Sequence, residues 1–292
     1  MQYFISQIVN GLCQGSIYAL MAIGYSVIVG VVGFVTFTHG EVIIMGAFAA
    51  YYAFEFVGSM NLPLGILAAF VASWLVGIFV YKVCYERFFK APRHIALICT
   101  IAVSILLKNL MQIVFGAARK PMINVIDNKI YTMGPVQISR LQIVIILTVV
   151  VLSLLLLFIF KKTRWGVSLR AISQDKSAAA LIGINVKRDA MVGNCIGSGL
   201  AGVAGLLIAM SYAILYPSMG STFGMKAFTA SVLGGLTSVP LAAVGGMCIG
   251  LVENIGITVT SATYRDIFAF VFLIIILLIR PQGFASKKGG RP

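Results

Sequence analysis

Apolar windows close to the roughly 20 residues needed to cross a hydrocarbon core recur from one end of this chain to the other. That recurrence constrains the fold more than any motif, because in lipid each segment must satisfy its own backbone hydrogen bonds, and a helix does so. The windows fall at residues 8–33, 40–57, 62–84, 95–115, 137–160, 190–212, 225–236, 241–260 and 266–280. Two of them are short for a full crossing, and GGLTSVPLAAVGG, Gly234 to Gly246, separates them. The reading is an all-α polytopic membrane protein of eight or nine transmembrane helices, with broken or short helices in that region. Residues 1–292 form a single transmembrane domain, and no segment has room for a separate catalytic fold. MQYFISQIVNG lacks the basic region of a signal peptide, so the first apolar run is expected to stay as a span.

Composition agrees, with 60% hydrophobic and only 10% charged residues. A net charge of +14 would elsewhere suggest nucleic acid, but here position decides. Lys82, Arg87, Lys90 and Arg93 form one cluster, and Lys161, Lys162, Arg164, Arg170, Lys176, Lys187 and Arg188 a second. Arg280, Lys287, Lys288 and Arg291 form a third. By the positive-inside rule all three are cytoplasmic, which leaves the amino terminus outside and the carboxyl tail inside. The basic excess is therefore a topology signal, with contact to anionic lipid as a side effect and no nucleic acid partner. Five cysteines, scattered singly at 13, 84, 99, 195 and 248, argue against a disulfide framework or a zinc site.

Gly11 and Gly15, Gly193 and Gly197, Ala201 and Gly205, and Gly246 and Gly250 have helix-contact spacing, and tight packing is the expected role of each pair. Gly40, Met45, Ala47, Phe48 and Ala50 recur as Gly220, Met225, Ala227, Phe228 and Ala230 at a constant offset. The topology puts the two copies on opposite faces, which is the pattern of an inverted repeat.

The stretch TFTHGEVIIMGAF, residues 36 to 48, sets His39 and Glu41 between apolar runs. Thr38 followed by Glu41 has the spacing of a capping box, in which the hydroxyl and the carboxylate each satisfy a free backbone N–H. Capping is the expected main role of Glu41, and it is compatible with a second one, because an ionisable pair at a helix break marks a substrate path. Glu253 and Asn254, in GLVENIG, are the best candidates for a buried polar contact facing the bundle interior. Lys108 is next and is expected to pair with an acid on another helix. Glu55, Arg140, Lys226, Arg265 and Asp266 lie near span ends, where snorkelling is the default explanation. His39, Glu41, Glu253 and Asn254 are thus the pathway candidates. No His/Asp/Ser set, metal-ligand spacing or phosphate-binding GxxxxGK[ST] loop is present, so no catalytic or metal residue is assigned.

The segment 161–189 is the longest inside loop and contains RAISQDKSAAALIGINV. Asp175 is a strong N-cap, Ala178 to Ala180 favour helix, and Gly183 before Ile184 fits a left-handed C-cap. So short a helix is marginal alone, so something must dock on it; the other possibility is that it rests on the headgroups.

SAAALIG, Ser177 to Gly183, resembles the Glu-Ala-Ala-x-x-x-Gly coupling segment of importer subunits driven by separate ATPases, with serine in place of the glutamate. GSIYALMAIGYSVIVGVVGFVTFTHGEVIIMGAF, TRWGVSLRAISQDKSAAALIGINV, KAFTASVLGGLTSVPLAAVGGMCIGLVEN and RPQGF together resemble the LivH-type permease of branched-chain amino acid ABC importers over nearly the full length. The resemblance implies a multi-pass protein of the bacterial inner membrane, moving leucine, isoleucine or valine inward. It implies as partners a second related permease, a periplasmic substrate-binding protein and two ATPase subunits, with ATP and magnesium on those subunits and no cofactor on this chain. It makes Arg170, Asp175, Ala178, Ala179 and Gly183 the candidate ATPase-coupling residues. The main rival reading is a proton-coupled secondary transporter of small amino acids or amides that uses Glu41, Glu253 and His39. A non-transporting membrane anchor is a second rival.

Overall fold

The computed structural model describes residues 2–58, 61–88, 92–122, 125–127, 129–133 and 136–279. The third basic cluster and the RPQGF stretch lie outside these residues. The chain folds into α1 (Gln2–Val32), α2 (His39–Val57), α3 (Leu62–Val80, continued by a π-helical turn at Tyr81–Tyr85), α4 (Arg93–Phe115) and α5 (Arg140–Lys162). There follow α6 (Arg164–Gln174), α7 (Lys176–Leu181), α8 (Val186–Tyr212), α9 (Met219–Gly234), α10 (Val239–Val259) and α11 (Arg265–Ile279). Seven helices among the described residues are long and apolar enough to cross a membrane. Of the helices that fall on the apolar windows, α9 and α11 are the short ones, at 16 and 15 residues.

Side-chain bonds fix the two ends of the bundle. Lys176 Nζ donates to the Val32 carbonyl at the end of α1, and Tyr81 OH to the Lys187 carbonyl at the start of α8. This end carries the basic residues of 161–188. At the other end Gln142 on α5 reaches Asn10 on α1, and Arg265 on α11 reaches Tyr212 on α8. α1 and α8 therefore run in opposite senses.

The main helix contacts are preserved when α1 to α3 are exchanged for α8 to α10. α1 packs on α10 as α8 does on α3, α2 on α3 as α9 on α10, and α2 on α8 as α9 on α1, while α1–α8 and α2–α9 are contacts of a helix with its own counterpart. The offset repeat is thus an inverted structural repeat, and Gly40 and Gly220, matched residues of the two copies, touch across it. A Cβ on Gly40 would lie 2.2 Å from the Gly220 carbonyl oxygen, and one on Gly220 would lie 2.8 Å from the Gly40 oxygen.

The glycine pairs do pack helices. Gly11, Gly15 and Gly250 bring α1 and α10 together, and Gly246 abuts Ala19. Gly24 and Gly197 lie against each other's carbonyls where α1 crosses α8. In lipid such close approach replaces the hydrophobic drive available in water. A Cβ on Gly250 would lie 2.2 Å from Gly15 backbone atoms, which cannot retreat. Gly250→Leu is expected to cost about 3 kcal/mol, read as a lowered melting midpoint of the detergent-purified chain. An unchanged midpoint would rule out the close-packing account.

Three local features go beyond the sequence reading. The segment between α4 and α5 contains an antiparallel pair, β2 (Ile130–Met133) with β3 (Val136–Ser139); upstream, β1 (Lys120–Pro121) pairs with β4 (Ile214–Leu215). The loop 161–189 holds two helices, α6 as well as α7. Thr163 caps α6 by accepting from Gly166 N–H, and Leu169 and Ile172 bury its apolar side. The cysteines are all free but not all isolated, since Cys84 and Cys99 Sγ atoms lie 3.6 Å apart.

Candidate functional site

Gly33 takes a left-handed φ of 82° at the end of α1, and the chain from Phe34 to Thr38 turns back beside that helix. Tyr25 OH on α1 donates to the Thr36 carbonyl and accepts from the Thr36 N–H. His39, at the start of α2, therefore meets the middle of α1, where its Nε2 lies 3.2 Å from the Met21 carbonyl oxygen and its ring stands edge-on to Tyr25. α9 starts from the opposite end of the bundle, and the first turns of α2 and α9 meet at Gly40, Gly220 and Gly224.

The capping-box expectation fails here. Thr38 is already helical, with φ −72° and ψ −16°, and makes no cap bond; its hydroxyl pairs instead with Tyr85 OH at 3.2 Å. A cap residue needs an extended backbone to aim its side chain at the N–H groups ahead of it. Released from capping, Glu41 points into a cavity of about 290 Å³ lined by residues of the α1–α2 turn, α2, α4 and α9. Glu41 is 2% exposed. Its Oε1 accepts from Ser104 Oγ at 3.4 Å, while Oε2 has no hydrogen-bond partner among the described residues. Lys108, one turn beyond Ser104, donates to Ser221 Oγ at 3.4 Å rather than to an acid, and stands near enough to act on Glu41 electrostatically. The rest of the lining is mainly apolar, with Phe37, Ile101, Ile105, Met225 and Phe228.

Glu253 is buried, as expected, but elsewhere. Lys226 Nζ lies 2.8 Å from Glu253 Oε1 and 2.7 Å from Asp266 Oδ1, and Tyr18 OH donates to Glu253 Oε2 at 2.9 Å. Tyr18 also approaches Tyr212, which accepts from Arg265. Two cations and two anions thus form a neutral cluster across α1, α8, α9, α10 and α11. Lys226 does not snorkel: it is 1% exposed, on a helix whose neighbours close over it. Asn254, one position on from Glu253, faces another way, donating to Gln14 and the Gly250 carbonyl beside a separate polar cavity. The four pathway candidates therefore divide into one converging pair, His39 with Glu41, and two residues with other partners.

Ser104 and Ser221 complete the cavity, with Lys108 beside it on Ser221, and none of the three was assigned to it from sequence. A signal for them exists, since Ile101, Ser104, Ile105 and Lys108 follow the three-and-four spacing of one helix face.

At the basic end, Asp175 Oδ1 caps α7, accepting from Ser177 and Ala178 N–H at 2.7 and 3.0 Å. Gly183 has φ 86°, and Ile184 N–H returns to the Ala179 carbonyl, closing the helix as its sequence implied. Ala179, however, is 2% exposed and packs in a core cluster that also holds Val31, Tyr81 and Leu169. The open side carries Ser177, Ala178, Leu181 and Ile182, the last two 89% and 74% exposed. Arg170 is turned to the Phe160 carbonyl at the end of α5.

A family model described as branched-chain amino acid transport system / permease component matches residues 7–277. The chain belongs to that family. This permease is 38% identical to the high-affinity branched-chain amino acid transport system permease protein BraD of Pseudomonas aeruginosa, over 98% of its own length and 96% of the relative's. It is 34% identical, over the same shares, to LivH of Escherichia coli strain K12, whose name describes the same kind of permease. A more distant relative is the ribose import permease protein RbsC of Haemophilus influenzae, 22% identical over 98% of this chain and 88% of that one. No solved structure matches the permease.

Proposed function

We propose that the chain is the membrane-spanning permease subunit of a binding-protein-dependent ABC importer that carries leucine, isoleucine or valine into the cytoplasm across the bacterial inner membrane. The observation that carries this reading is the near-full-length likeness to two permeases named for high-affinity branched-chain amino acid transport. A second related permease completes the path, a periplasmic binding protein delivers the amino acid, and two ATPase subunits holding ATP and magnesium supply the energy. The permease itself performs no catalysis in this scheme. The basic end is the cytoplasmic one by the positive-inside rule, and the 161–189 segment on it is the coupling region. Within that region Asp175 and Gly183 set the ends of α7, Ala179 seats it on the bundle, and Arg170 ties α6 to α5. Ala178, with Leu181 and Ile182, forms the face that an ATPase subunit covers. Glu253 already has Lys226 and Tyr18 as partners, which disfavours the proton-coupled rival, where it would have to load and release protons.

The test is uptake of labelled leucine by cells expressing the chain with its neighbouring-gene ATPases, second permease and binding protein. Uptake is expected to stop on ATP depletion and to persist when a protonophore collapses the proton gradient while ATP is maintained. The opposite pattern would overturn the reading in favour of the secondary transporter, and no substrate-stimulated ATP turnover on adding the partners would favour the anchor.

A further inference from the structure

We infer that the Glu41 cavity is a cargo site of the permease, in which the Glu41 carboxylate takes the α-ammonium group of an amino acid. The inference rests on the amino-acid reading above and adds the residues that recognise the cargo.

An almost fully buried carboxylate with one oxygen unpartnered is costly unless something positive completes it. Glu41 is in that state by hydrogen-bond geometry, with Oε2 directed at the bare backbone of Gly220 and the Ser221 hydroxyl nearby. A Cβ there would lie 2.7 Å from the oxygen, so glycine leaves that face of the carboxylate uncovered. The first turn of α2 carries the positive end of its helix dipole, which favours negative charge at this position. Ser104 supplies a second oxygen close by.

The shape of the cavity selects the kind of cation. A bare calcium or magnesium ion demands six or more oxygen ligands, and the side chains here offer one carboxylate and a few hydroxyls among Phe37, Ile101, Ile105, Met225 and Phe228. An ammonium group attached to an aliphatic body suits both parts. At about 290 Å³ the cavity lies near the lower limit of small-molecule sites. Lys108, on α4 beside the cavity, donates to Ser221 Oγ on α9 at the cavity wall and forms no direct ion pair with Glu41.

The experiment uses the assembled transporter with the native cysteines of the permease replaced and Ile101→Cys placed in the cavity wall. Labelling by N-ethylmaleimide is timed with leucine, with 3-methylbutylamine (the same side chain without the carboxylate), and with 4-methylpentanoate (the same side chain without the amine). Leucine and the amine are expected to slow labelling by about tenfold and the acid to have little effect, as a charge-assisted contact implies. Glu41→Gln, which keeps shape and loses charge, is expected to abolish protection, and Glu41→Asp to restore part of it, with all variants eluting as the intact complex. Equal protection in Glu41→Gln, protection by the acid matching that by leucine, or no protection with Glu41 present would each overturn the inference. Failure of the importer reading shows separately, as absent ATP-driven leucine uptake with Glu41 intact.

Discussion

Lys226→Met is expected to lower the stability of the permease by about 3–5 kcal/mol, the range for removing one partner from a buried ion pair. Methionine fills much of the space of the lysine stem, so lost packing contributes little. The cost comes from Glu253, which is fully buried and would keep only the Tyr18 hydroxyl as a donor. Asp266 is half exposed and can turn to water, so it adds less. The double variant Lys226→Met with Glu253→Leu removes both buried charges and is expected to recover most of the loss, because apolar replacements of a buried pair are often neutral. Melting of detergent-purified protein checks both. A single variant as stable as the parent would show that Glu253 is reached by water or already carries a proton.

The second large effect is on partner association. Leu181→Glu combined with Ile182→Glu is expected to leave folding intact, since both side chains stand 89% and 74% exposed, and to abolish recovery of ATPase subunits on pull-down together with ATP-driven uptake. Two buried carboxylates at an apolar contact each carry a desolvation cost of several kcal/mol, enough to dissociate a complex. Ala179→Arg provides the contrast. It drives a long charged side chain into the cluster beneath α7 and is expected to reduce membrane levels and the melting midpoint before any docking defect can be read. If the double glutamate variant copurifies with its ATPases at full yield, α7 is not the dock, and the basic stretch after the π-helical turn of α3 becomes the next candidate.

Two capping motifs in this chain show what sequence patterns carry. Ser139 and Gln142 form both bonds of a capping box at the start of α5. Thr38 and Glu41 have the same spacing and form neither. Ser139 has an extended backbone, whereas Thr38 is pulled into helical geometry in a turn where Tyr25 holds Thr36 and Tyr85 takes the threonine hydroxyl. Spacing therefore states which bonds are possible, and residues distant in sequence decide whether they form. The same holds for Lys226, whose position near the edge of an apolar window suggested an exposed amine. α9 is a short helix enclosed by α1, α10 and α11, so the edge of that window is not the edge of the protein.

Features that depend on composition and local order were determined by the sequence alone. These are the membrane-spanning helices, the basic clusters, the caps of α7 at Asp175 and Gly183, the close-packing glycines, and the recurrence of Gly40 and its neighbours at Gly220. Each follows from the solvent preference of a segment or from backbone freedom at one residue, and neither needs a partner to be known. Only the tertiary structure decided that the repeat brings the first turns of α2 and α9 together, that Glu41 faces a cavity with Ser104 and Ser221, and that Glu253 is neutralised by Lys226. It also decided that Ala179 faces inward while Leu181 and Ile182 face out. In a bundle whose helices are apolar on most sides, hydrophobic periodicity no longer says which face is buried, so the neighbours of a polar side chain are set by helix contacts far apart in the chain.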